Sequence, residues 1–126
     1  GGKLMGTLAQ EIQKKDVIIP IHILVDLKRE DIVTTEHIQN ISRTGIFIET
    51  RELLPIGSSV LLSFVLPDAP RLITVRGEVV CANRTLRHKR SSTLTGMGIR
   101  FAEINPEDEK LISAFIEKWE AGQIQV

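Results

Sequence analysis

The sequence predicts a mainly β domain: six short antiparallel strands forming a barrel or a sandwich, followed by one C-terminal helix. Three observations carry this. Apolar residues recur at every second position in successive short segments, turn-forming residues separate those segments at nearly regular spacing, and the one clear helical period stands near the end of the chain. Strands that succeed one another with no helix between them argue against a parallel α/β sheet. With 126 residues, the chain has the length of a single domain with its own core.

From Val17 to Leu27 every odd position is apolar, while Pro20, His22 and Asp26 take even ones, which predicts a strand with one buried face. Pro20 has no N–H to give to a ladder, so the strand should lie at an edge or carry a bulge there. Lys28 to Asp31 reads as a charged turn, Thr35 to Ile41 as a second strand, and Ser42-Arg43-Thr44-Gly45 as the turn that ends it. Ile46 to Thr50 is the third strand, and Leu54-Pro55-Ile56-Gly57 a turn. Val60, Leu62, Phe64 and Leu66 mark the inner face of the fourth, which Pro67-Asp68-Ala69-Pro70 terminates.

The fifth strand runs from about Leu72 to Asn83. Ile73, Val75, Gly77, Val79 and Cys81 share one face, so the only cysteine is expected in the core. A polar, basic stretch from Arg84 to Thr95 connects it to the sixth strand, marked by Met97, Ile99 and Phe101. Asn105 is a good N-cap, Pro106 suits the first helical position, and Glu107, Asp108 and Glu109 complement the positive end of the helix dipole. Leu111, Ile112, Phe115, Ile116 and Trp119 then follow at helical spacing and should pack on the sheets or plug their open end, with Gly122 as the stop. Residues 1–13 read as a tag remnant (Gly1 to Leu4) and an N-terminal arm, with Leu8 to Lys15 a short helix or ordered arm. Residues 14–121 form the domain, and 122–126 a tail.

Sixteen basic residues balance sixteen acidic ones, so no whole-molecule field draws the chain towards nucleic acid or an anionic membrane. Its apolar runs are far shorter than a membrane span and no leader pattern is visible, so a soluble, cytoplasmic protein without membrane insertion is expected. His22, His37 and His88 lie on separate segments without the spacing of a metal pair. No nucleophile elbow, phosphate-cradling glycine loop or dinucleotide fingerprint is present. The expectation is therefore a binding protein with no catalytic residues, no metal and no cofactor.

One constellation stands out. The turn Asn40-Ile41-Ser42-Arg43-Thr44-Gly45 leads into Ile46-Phe47-Ile48, followed by the Leu54-Pro55-Ile56-Gly57 turn, the strand Val75-Arg76-Gly77-Glu78-Val79-Val80 and the segment Gly96-Met97-Gly98-Ile99-Arg100-Phe101. These landmarks, in this order, closely resemble the PilZ family over roughly Lys14 to Trp119. The resemblance implies a six-stranded antiparallel PilZ-like β-barrel with a C-terminal α-helix, of a family known as bacterial receptors for cyclic di-GMP, with roles that include motility. It also implies a ligand site at Asn40, Ser42 and Gly45, which match the family's Asp/Asn-x-Ser-x-x-Gly motif. The amide of Asn40 suits a guanine edge, the Ser42 hydroxyl a base or phosphate, and Gly45 a close backbone approach.

The family's second motif, Arg-x-x-x-Arg before the first strand, is not kept: Lys14 and Ile18 stand at its two arginine positions. Arginine forks two donors to a guanine or phosphate, lysine offers a point charge, and isoleucine offers nothing ionic. The leading expectation is therefore a regulatory signalling module of the cyclic di-GMP class, acting through a protein partner with weak or lost nucleotide binding. The alternative is a working cyclic di-GMP receptor in which Lys14 and Lys15 replace the arginines and Arg43 also reaches the ligand. A third, less favoured reading is a small nucleic-acid-binding barrel. Arg84, Arg87, Lys89 and Arg90, beside His88 in the connection between strands five and six, form a basic cluster suited to an acidic partner surface.

Overall fold

The computed structural model describes residues 17–83 and 95–124. Six strands, β1 (Ile19–Arg29), β2 (Ile32–Ile41), β3 (Gly45–Glu49), β4 (Ser59–Phe64), β5 (Ile73–Asn83) and β6 (Gly96–Glu103), precede one helix, α1 (Pro106–Glu120). They close into a barrel in the order β1-β2-β3-β6-β5-β4, every neighbouring pair antiparallel. Closure decides between barrel and sandwich and leaves no open sheet edge.

Strand parity builds the core as expected. Ile19, Ile21, Val25 and Leu27 of β1 face inward with Ile38 and Ile41 of β2 and Ile46 and Ile48 of β3; Val60, Leu62 and Phe64 of β4 meet Ile73, Val75 and Val79 of β5 and Met97 and Ile99 of β6. The register of β1 on β2 shifts between Pro20 and Ile23, the irregularity expected where proline withholds a donor. The β1–β2 hairpin is longer than its apolar pattern implies. Arg29 pairs with Ile32, so the expected four-residue turn shrinks to Glu30 and Asp31, with Glu30 at φ 56°. Ile32 and Val33 are exposed, which is why the start of β2 carries no buried period.

The starts of β1, β3 and β5 and the ends of β2, β4 and β6 all lie at one end of the barrel, and α1 leaves from the last of these. Ile112, Phe115 and Ile116 carry the core onto the helix, so its apolar stripe is core packing. Asn105 caps α1 by accepting from the Asp108 N–H at 2.8 Å. At the other end the Gly122 N–H donates to Trp119 and the Gln123 N–H to Lys118, with Gly122 at φ 74°, a Schellman closure.

Asp108, read from sequence only as a dipole-complementing acid, is buried, and its carboxylate fixes the helix to the barrel. It accepts from the Arg71 guanidinium at 2.5 Å, from the Asn105 amide at 2.9 Å and from the Thr74 N–H of β5 at 3.4 Å. Two pairs, the partly exposed Arg43–Glu117 at 3.8 Å and the exposed Lys118–Asp68 at 3.4 Å, also tie α1 to the turns at this end.

Candidate functional site

The turn between β2 and β3 is held by its own serine. The Ser42 N–H donates to the Gly45 carbonyl at 2.9 Å, while the Ser42 hydroxyl accepts from the Thr44 N–H at 3.2 Å and stands 3.2 Å from the Thr44 hydroxyl and 3.4 Å from the Gly45 carbonyl. Ser42 is buried and so acts first on the shape of the turn. Gly45 has a comparable reason to be glycine: a Cβ there would collide with the Ile99 carbonyl of β6.

Pairing then carries the site across four strands. Asn40 of β2 pairs with Phe47 of β3, Phe47 with Gly98 of β6, and Gly98 with Cys81 of β5; one step along, Gly45 pairs with Arg100 and Arg100 with Glu78. These residues lie on the outer face, opposite the inward row Ile41, Ile46, Ile99 and Val79. The glycines keep the middle of this face low. The Phe47 ring lies over Gly96, where a Cβ would come within 2.8 Å of it, and the Cys81 thiol sits 2.6 Å from the place of a Cβ on Gly98. The outcome is an open cleft of about 390 Å³ with Asn40, Ser42 and Thr44 on one side, Val80, Cys81 and Arg100 on the other, and Ile18 at its edge.

The cleft brings together Asn40, Ser42 and Gly45 of the sequence-predicted set. The Asn40 side chain is half-buried and makes no hydrogen bond within the described residues, which leaves its amide free to pair with an incoming group. Arg43 lies in the same turn but does not line the cleft; its guanidinium pairs with Glu117 of α1. Lys14 and Lys15, the arm, and the cluster of Arg84, Arg87, Lys89 and Arg90 lie outside the described residues.

Cys81 corrects the sequence reading: it is exposed, not buried. Val79 pairs with Ile99 and Cys81 with Gly98, so β5 spends two residues where β6 spends one. This bulge at Val80 reverses the parity of everything after it and turns Cys81 onto the outer face. Phe47, Thr44, Gly98 and Arg100 were also not singled out as cleft residues. The alternation Ile46, Ile48 against Phe47, and Met97, Ile99 against Gly98 and Arg100, already places Phe47, Gly98 and Arg100 outside, but only the register makes them neighbours of Asn40.

Among the described residues no three His, Cys, Asp or Glu side chains converge as a metal site, and no helix is long and apolar enough to cross a membrane. The PilZ domain family model matches residues 13–118. The chain belongs to the PilZ family. Solved structures of other proteins share its architecture. The Bacillus subtilis inhibitor of motility (MotI/DgrA) superposes with a TM-score of 0.72 at 19% identity, over 87% of this chain and 52% of that one. The Borreliella burgdorferi PlzA protein in complex with c-di-GMP gives 0.61 at 17%, over 90% and 45%. The PilZ domain of Escherichia coli YcgR with c-di-GMP gives 0.60 at 11%, over 87% and 98%. At such identities the likeness is one of fold. This PilZ chain spans about half the length of the Bacillus and Borreliella proteins. No curated protein matches it in sequence.

Proposed function

We propose that this PilZ domain is a regulatory binding module, not an enzyme, whose outer cleft takes cyclic di-GMP weakly and whose output passes through a protein partner. The observation that carries the reading is the composition of the cleft. Asn40, Ser42, Thr44 and the glycine floor stand together, while exposed Ile18, which the resemblance to the family sets against an arginine of its Arg-x-x-x-Arg motif, lines the same cleft. The polar wall offers an amide and two hydroxyls to a base edge or phosphate, and the low floor admits a planar group. The missing arginine removes charge-assisted contacts, each worth roughly 1.5–3 kcal/mol, and every 1.4 kcal/mol is about tenfold in affinity.

Calorimetric titration of the full chain with cyclic di-GMP, with GTP as control, tests this. Dissociation constants of tens to hundreds of micromolar, abolished in Asn40→Ala, are the expected result. Binding at low micromolar or tighter would favour the receptor reading in which Lys14 and Lys15 replace the arginines. Binding that survives Asn40→Ala, or no binding up to several hundred micromolar, would contradict the cleft assignment.

A further inference from the structure

Arg100 is the only cation lining the described cleft, and it is already engaged. Its guanidinium donates to the Glu78 carboxylate at 2.6 Å across the β5–β6 pair, where the two residues stand directly opposite each other. On its other side Arg100 is the register partner of Gly45, so its backbone runs beside the end of the Asn40–Gly45 turn. The opposite polar wall, Asn40, Ser42 and Thr44, carries no charge.

We infer that Arg100 is the phosphate-binding cation of this cleft and that Glu78 is an internal anion which a phosphate must displace. The inference rests on the cyclic di-GMP reading above and adds to it the residue that meets the negative charge and the residue that sets the affinity. Both side chains are partly exposed, so water and salt screen their pair and holding it contributes little to stability. A phosphodiester oxygen entering the cleft offers the guanidinium the same charge-assisted geometry that the carboxylate provides now. Arg76, the arginine on the outer face of β5, is directed elsewhere, to Ser59 and Glu103. Glu78 therefore opposes the ligand twice, by occupying Arg100 and by repelling a second anion.

Titrations of cyclic di-GMP into the unsubstituted 126-residue chain, Glu78→Gln, Arg100→Gln, the double variant and Asn40→Ala, at low and at physiological salt, test the inference. Glu78→Gln should bind roughly two- to fivefold more tightly than wild type. Arg100→Gln should bind about tenfold or more weakly and with a shallower dependence on salt, and the double variant should match Arg100→Gln. If Asn40→Ala abolishes binding while Arg100→Gln and Glu78→Gln leave affinity and salt dependence unchanged, the cleft assignment stands and the role of Arg100 is overturned. If Asn40→Ala binds as well as wild type, or if neither wild type nor Glu78→Gln binds, the cleft reading falls and this inference with it. Equal melting temperatures across the set, expected for outer-face substitutions, assign the changes to binding rather than to folding.

Discussion

Replacing Asp108 by alanine strips three donors of one acceptor: the Arg71 guanidinium at 2.5 Å, the Asn105 amide at 2.9 Å and the Thr74 N–H at 3.4 Å. Breaking a fully buried ion pair costs about 3–5 kcal/mol. Asp108 is buried here, but the Arg71 side chain is 43% exposed and regains water when its partner goes, so the Coulomb part is reduced. The Thr74 N–H and the Asn105 amide are left unsatisfied or rehydrated at about 1 kcal/mol each. A loss of roughly 2–3 kcal/mol follows. For a domain of this size that is a fall in melting temperature of about 6–15 °C. Urea unfolding followed by circular dichroism should show a lower midpoint with an unchanged slope, since the exposed area on unfolding stays the same. Arg71→Ala should cost less, and the double variant should fall short of the sum because the two side chains share one interaction. An Asp108→Ala loss under about 1 kcal/mol, or strict additivity with Arg71→Ala, would refute the assignment of this carboxylate as the tie between helix and barrel.

Three further outcomes are expected. Ile18→Arg should tighten cyclic di-GMP binding by roughly five- to thirtyfold in calorimetry, a charge-assisted contact less the cost of ordering the long side chain; it should leave stability nearly unchanged, because Ile18 is already 59% exposed. Gly45→Ala should destabilise the fold by about 1–3 kcal/mol in thermal unfolding, since the added methyl meets the Ile99 carbonyl and not a movable side chain. Cys81 should react with a thiol reagent in the folded protein without denaturant, and cyclic di-GMP should slow that labelling, as the thiol lines the cleft.

Alternation made the strands legible. Val60, Leu62 and Phe64, or Ile73, Val75 and Val79, announce both a strand and its buried face, and Asn105-Pro106 and Gly122 mark the helix ends by cap chemistry. What alternation cannot carry is a change of parity, because a bulge is a property of two strands. The extra residue at Val80 exists only relative to Ile99 and Gly98, and so Cys81 was misplaced. Asp108 was hidden differently: three acids in a first turn look alike in sequence, and only the approach of Arg71 and Thr74 from the barrel sets one apart. Asn40, Ser42 and Gly45 were readable as a motif. Phe47, Gly98 and Arg100 became part of the same cleft through register, which no single segment contains.

The most direct test of a weak nucleotide cleft on the outer face is a titration of the isotope-labelled chain with cyclic di-GMP, followed by amide chemical shifts. Shifts concentrated at Asn40, Thr44, Phe47, Gly98 and Arg100, saturating with a dissociation constant in the tens to hundreds of micromolar, are the predicted result. Shifts centred on α1 or the β1–β2 hairpin, or a spectrum unmoved by the ligand, would contradict it.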